Sequence, residues 1–246
     1  MMKRILGITL LLLLLAGPAP AADKISAAVA ANFIDAFKEI ARSFEAKTGV
    51  PVEATYSSTG QLYAQIRNGA PYDLFLAADE ERPALLHKEG LAEAPFVYAN
   101  GRVVLWTVKK DLCGARSWRE VLANPGLKKI AVANPKTAPY GASAMAALEK
   151  TGMLKNVEER LVFGQNIAQA FQYAVTGSVD AGFCALSSTL SEKGREGCAF
   201  SVEEAPAVVQ GACLLKRTAR QKDVREFMGF LSSSEADSIK KKYGYR

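Results

Sequence analysis

The segment Lys24–Phe44 constrains the fold more than any other stretch. Ile25 to Ala30 is a short run of small and apolar residues that reads as a strand. Directly after it, Phe33, Ala36, Phe37, Ile40, Ala41 and Phe44 recur at helical spacing and describe an amphipathic helix. Asn32 stands at the joint, where the helix N-cap is expected. A helix that begins at a strand end presents unpaired N–H donors and a positive dipole end, which together seat an anion. Strand, small or polar residue, then helix is expected to recur three more times along the chain. The helix N-termini would then converge on one small oxyanion.

That alternation continues almost throughout, and it argues for an α/β architecture with mostly parallel sheets. Strands are expected at 50–56 and 73–77, with Ser57-Ser-Thr-Gly60 opening a short helix between them. Asp79 is placed to cap a helix that ends near Lys88, with Gly90 as its stop signal. From Arg102 the chain changes character. Strands at 103–108, 129–133, 161–163, 180–186 and 207–215 alternate with helices at 117–122, 140–150, 167–176, 219–231 and 235–242. The long apolar strands 103–108 and 207–215 mark two crossings between lobes. One lobe is expected to hold 22–102 plus 207–246, the other 103–206. Two crossings make a hinge with a cleft between the halves.

Lys3 and Arg4 precede an apolar run from Ile5 to Ala16, and Ala19-Pro20-Ala21 follows as a small-residue cleavage site. Residues 1–21 therefore read as a secretory signal peptide. The run is too short for a membrane span. No cysteine lies near the cleavage point for lipid attachment, so an exported protein starting at Ala22 or Asp23 is expected. About 225 residues then remain, enough for one large domain or two lobes. Without Lys3 and Arg4 the formal net charge of +6 falls to +4. The basic residues are scattered; the run Lys240-Lys241-Lys242 reads as a solvated helix face, and no nucleic-acid partner is expected. Export permits disulfides, and Cys113, Cys184, Cys198 and Cys213 allow three pairings that sequence cannot separate. None has metal-ligand spacing.

The residues also carry a resemblance. Ala-Ala-Asn-Phe-Ile-Asp-Ala-Phe at 30–37, Ser-Ser-Thr-Gly-Gln-Leu-Tyr-Ala-Gln-Ile at 57–66 and Gly-Ala-Pro-Tyr-Asp-Leu-Phe-Leu-Ala-Ala-Asp at 69–79 come in this order. Leu105-Trp106, Asn134-Pro135 with Ala138-Pro-Tyr-Gly141, Gly182-Phe183 and Tyr243-Gly244-Tyr245 follow. Together they resemble the periplasmic molybdate-binding proteins of ABC transporters, over essentially the whole exported length. The resemblance implies a two-lobed type II periplasmic-binding-protein fold. It also implies a monomer in the periplasm that captures molybdate, and tungstate with it, for delivery to a membrane permease. It implies no cofactor and no direct metal ligand: the oxyanion is held by neutral donors at helix starts. Those positions fall on Ala31 and Asn32, Ser58 and Thr59, Tyr140, and Ile167. Many members carry a tyrosine where this chain has Ala185; Tyr140 is expected to supply that hydroxyl.

Each position also has a plainer reading. Asn32 can cap its own helix, and Ser57–Thr59 can be a turn with an N-cap. Tyr140 can be a surface aromatic, and Ile167 can reach an anion only through its N–H. His87, the only histidine, reads as a partner of its helix's negative end rather than as a catalyst. No nucleophile elbow, His-rich cluster or Walker loop is present, so an enzyme is not expected. The rival within binding proteins is a receptor for sulfate, phosphate or a small carboxylate. A carboxylate would call for an arginine clamp, and the nearest candidates, Arg67 and Arg102, do not fall on helix N-termini.

Overall fold

The computed structural model describes residues 24–246. The expected signal peptide and its cleavage point lie outside the described residues. In chain order, the first stretch runs β1 (Ile25–Ala30), α1 (Ile34–Thr48), β2 (Val52–Ser57), α2 (Thr59–Arg67), β3 (Leu74–Leu76), α3 (Glu81–Lys88) and β4 (Phe96–Gly101). The second runs β5 (Val103–Thr107), α4 (Trp118–Ala123), β6 (Ile130–Ala133), α5 (Pro139–Lys150), α6 (Leu154–Val157), β7 (Leu161–Gly164), α7 (Ile167–Val175), β8 (Ala181–Ala185), α8 (Leu186–Thr189) and β9 (Cys198–Ser201). The chain then returns through β10 (Val208–Leu214), α9 (Gln221–Leu231) and α10 (Ser234–Lys242).

Two five-stranded sheets result, in the orders β2-β1-β3-β10-β4 and β7-β6-β8-β5-β9. Each is mixed in the same way. Three strands pair in parallel, one strand (β10 or β5) runs against its neighbours, and an edge strand closes the sheet. The edge strands β4 and β9 have no counterpart in the sequence reading. Both are partly exposed and add to the sheet by backbone pairing, so their residues carry little hydrophobic pattern.

The first sheet is buried on both faces, and the period of two sorts its residues. Ile25, Ala27 and Val29 share one cluster with Phe33, Phe37, Phe44 and Phe227. Ala28, Phe75, Ala77 and Cys213 share another with Leu62, Ile66 and Leu86. Small residues in β1 let helices approach both faces closely. Gly90, with φ of 76°, ends the α3 turn in the left-handed region; Glu80 rather than Asp79 occupies the cap position at its start, and the Asp79 carboxylate, one residue earlier, accepts from Arg82 N–H at 2.9 Å.

Three details differ from the sequence reading. Asn32 is not the N-cap of α1: Ala31–Phe33 form a 3-10 turn, Phe33 occupies the cap position, and no side chain caps it. Lys240 is not solvated. It is 8% exposed, and its ammonium donates to Tyr98 O at 2.9 Å and Leu231 O at 3.1 Å. Its aliphatic stem packs inward while the head satisfies two backbone carbonyls. The cysteines resolve into one disulfide, Cys113–Cys198, and two buried thiols, Cys184 and Cys213. Burial pushes the Cys213 thiol up to about 12 and the Cys184 thiol higher, so both are inert.

The disulfide ties edge strand β9 to the turn that follows its partner β5, across 85 residues of chain. Closing so long a loop restricts the unfolded chain and is worth about 2–4 kcal/mol. Dithiothreitol, or the double substitution Cys113→Ser/Cys198→Ser, is therefore expected to lower the melting temperature by roughly 5–15 °C at this size. An unchanged melting curve would mean that the pair is not oxidised in the purified protein.

Candidate functional site

The helix-opening positions identified in the sequence come together in space. A narrow cavity of ≈ 10 Å³ lies between the sheets, lined by Ala30, Ala31, Asn32, Ser57, Ser58, Thr59, Ala78, Ala138, Pro139, Tyr140, Asn166 and Ile167. All six expected site residues are on this wall. Ala31, Asn32, Ser58 and Thr59 come from the first sheet's side, and Tyr140 and Ile167 from the second's. No charged side chain lines it.

Each element brings open donors. The first N–H groups of a helix lack intrahelical acceptors. In α5, Pro139 at the first position has no N–H to offer and holds φ ready for the turn, which leaves Tyr140 and Gly141 as the leading donors. In α7, the Asn166 carboxamide caps the helix by accepting from Gln169 N–H at 3.0 Å, and Ile167 N–H stays available. In α2, Ser58 is the cap residue but its hydroxyl caps nothing. Ser58 Oγ is buried and has no partner. Thr59 Oγ1 accepts from Ala78 N–H at 2.9 Å, so its own proton is free for another acceptor. Buried polar groups are nearly always paired, and a hydroxyl in a cavity wall with no protein partner is available to whatever occupies the cavity.

The Asn32 side chain enters a buried polar network instead of capping α1. Its Nδ2 donates to Gln210 Oε1 at 2.8 Å and to Tyr245 Oη at 3.2 Å, with Tyr140 Oη at 3.5 Å. Its Oδ1 is buried without a partner. Its backbone carbonyl accepts from Tyr245 Oη at 2.6 Å and from Ser187 Oγ at 2.9 Å. Gln210 also meets Tyr98 Oη at 2.9 Å and Tyr140 Oη at 3.3 Å. Burial raises the Tyr245 hydroxyl to about 12 and those of Tyr98 and Tyr140 well above the usual range, so all three remain protonated donors at neutral pH.

Several contacts join the two sheets' sides around the cavity. Gly60 N–H donates to Thr137 O at 2.8 Å, Ser187 reaches the Asn32 carbonyl, and Gln210 reaches Tyr140. A Cβ on Gly60 would stand 3.0 Å from Thr137 Cα, so a larger residue would push the two segments apart by a few tenths of an ångström.

Other singled-out residues lie elsewhere. Tyr140, on the wall itself, is 1% exposed, which excludes a surface aromatic. Ala185 is fully buried at the end of β8 and is not on the cavity wall. Arg67 pairs with Glu89 at 3.0 Å, and Arg102 lines a separate recess beside Glu203 and Pro206. His87 sits in the last turn of α3 with Nδ1 3.1 Å from Ala92 O. Among the described residues, no group of three or more His, Cys, Asp or Glu side chains could hold a metal. Sequence reasoning gave no role to Gln210, Tyr98, Tyr245, Ser187 or Asn166. One signal was present: Gln210 is a lone polar residue in the apolar strand Val208–Leu214.

Comparison with known proteins is consistent along the chain. Residues 25–246 match the family model for bacterial extracellular solute-binding proteins. The chain is 38% identical over 245 residues to the molybdate-binding protein ModA of Rhodobacter capsulatus, covering 97% of this chain and 95% of that one. It is 38% identical over 237 residues to ModA of Azotobacter vinelandii, covering 94% and 93%. The solved periplasmic molybdate-binding protein of Azotobacter vinelandii superposes with a TM-score of 0.86 at 33% identity, over 91% of this chain and 99% of that one.

Proposed function

The chain belongs to the bacterial extracellular solute-binding proteins, and on that premise we propose that it captures molybdate in the periplasm and delivers it to the permease of an ABC transporter. The observation that carries this reading is the cavity wall: open N–H and O–H donors from both sides, an orphaned Ser58 hydroxyl, and no charged side chain. A tetrahedral dianion offers only acceptors. A wall of neutral donors can surround it fully, with the dipoles of the helices adding to the attraction. Hydrogen phosphate brings its own O–H, which would face a donor and leave a buried group unsatisfied, at a cost of about 1–3 kcal/mol. The site should therefore prefer fully ionised oxyanions. Tungstate, of the same charge and shape, is expected to bind with molybdate.

In this reading the donors are the backbone N–H groups at Ala31, Asn32, Thr59, Tyr140 and Ile167, with the hydroxyls of Ser58 and Thr59. The protein works as a monomer, with no cofactor and no turnover. Sulfate remains the closest rival ligand, since it has the same charge and differs only in size.

Calorimetric titration of the ligand-free protein with molybdate, tungstate, sulfate and phosphate tests the assignment. One-to-one binding of the first two, with sulfate weaker and phosphate silent, is the expected result. Silence toward molybdate and tungstate would refute it. Ser58→Ala and Thr59→Ala are each expected to weaken molybdate binding roughly 10-fold, the value of one charge-assisted hydrogen bond; Ser58→Ala should leave the melting temperature within a few degrees, while Thr59→Ala, which also strands the buried Ala78 N–H, should lower it further. Unchanged affinity in both variants would remove α2 from the site.

A further inference from the structure

The polar network behind the cavity contains two mismatches that share one remedy. Tyr98 has one proton, yet its Oη faces two acceptors, Ala77 O at 3.1 Å and Gln210 Oε1 at 2.9 Å. Asn32 Oδ1, on the limb of the amide away from Gln210, is buried with no donor at all. A carbonyl oxygen on this wall would also oppose a bound oxyanion. The nitrogen and oxygen of a carboxamide have nearly the same size, so a half-turn exchanges them without steric cost.

We propose that Gln210 is a positioning residue for the oxyanion site: with the dianion bound, the Gln210 and Asn32 carboxamides both stand reversed, so that Gln210 holds Asn32 with its Nδ2 toward the ligand. This rests on the oxyanion-receptor reading above. The reversed arrangement removes both mismatches. Tyr98 gives its proton to Ala77 O and accepts from Gln210 Nε2. The same Nε2 donates to Asn32 Oδ1, which now occupies the limb 2.8 Å from Gln210. Tyr140 Oη, 3.3 Å away, gives its proton to Gln210 Oε1. Tyr245 keeps its proton on the Asn32 carbonyl at 2.6 Å, beside Ser187 at 2.9 Å, so Asn32 Oδ1 is satisfied by Gln210 Nε2 alone, with Tyr245 Oη 3.2 Å away. Asn32 Nδ2 is then the one group left over, and it is a donor on the cavity wall. The backbone carbonyl of Ala77 cannot be reversed. It sets the polarity of Tyr98, Tyr98 sets Gln210, and Gln210 sets Asn32.

The room for this relay is built in. Gln210 is fully buried, and a Cβ on Gly101 would stand 2.8 Å from its Nε2 and closer still to Tyr140 Oη.

The test compares molybdate affinities by calorimetry, with melting curves as the control for folding. Gln210→Glu, which cannot donate to Asn32 when ionised, is expected to lose more than about 100-fold in affinity. Gln210→Met, which keeps the volume and removes the direction, is expected to lose roughly 10-fold. In an Asn32→Ala background, Gln210→Met should change affinity by less than about 2-fold, because its effect passes through Asn32. Losses that multiply independently would overturn the proposal. The side-chain amide NMR signals missing from Asn32→Ala identify Asn32 in the intact protein. They are expected to shift strongly on saturation with molybdate, and stationary signals would overturn the proposal even if Gln210→Glu failed to fold. Intact protein that ignores molybdate altogether would instead overturn the receptor reading, and this inference with it.

Discussion

Asn32→Asp is expected to abolish molybdate capture while leaving the protein folded. The two side chains have the same shape, and Tyr140 and, once its carboxamide is reversed, Gln210 can donate to a carboxylate there. A carboxylate on the wall of a cavity that must hold a dianion is a different matter. At about 4 Å and an effective permittivity of about 20, each pair of unit charges costs roughly 4 kcal/mol. A dianion doubles that, so the loss should exceed roughly 1000-fold. The new carboxyl can escape only by taking up a proton, so residual affinity should rise as pH falls from about 8 to 6.5, opposite to the effect of losing a simple hydrogen bond. Titration calorimetry at several pH values checks both statements. Affinity within tenfold of the parent protein would place Asn32 outside the site.

Gly141→Val is expected to leave little folded protein. Gly141 lies in the first turn of α5, and even a single Cβ there would stand 2.0 Å from Ala133 O and 2.7 Å from its carbonyl carbon. Those are backbone atoms at the end of β6, which pairs with β7 and β8, so they cannot step aside. Strand and helix would have to part, and with them the Tyr140 wall of the cavity. The cost is at least about 4 kcal/mol, at the far end of what one substitution does. Soluble yield and melting temperature measure it. A variant that melts within a few degrees of the parent protein would mean that α5 is not held against β6 in this way.

That these six positions would share one cavity was legible because each is a local event. Asn32, Ser58, Thr59, Tyr140 and Ile167 sit where a strand's apolar run stops and helical spacing begins. The resemblance of segments 30–37, 57–66 and 134–141 to molybdate-binding proteins then said which of those joints matter. Elements with a strong period of their own, α10 and β5 among them, could be placed to within a residue or two. The edge strands β4 and β9 could not, because pairing with β10 and β5 rather than side-chain pattern makes them strands.

The sequence by itself determined the alternating α/β order, the neutral chemistry of the helix starts and the absence of charge at them. These follow from spacing and residue type within some twenty residues. Only the tertiary structure decided that Asn32 leaves its own helix uncapped and turns to Gln210, 178 residues away. It also decided that Cys113 joins Cys198, and that Lys240 is buried under the carbonyls of Tyr98 and Leu231. In each case a side chain had a local use available and took a distant partner. Burial removes water as the alternative partner, and a polar group out of reach of water must be satisfied by whatever the folded chain brings to it.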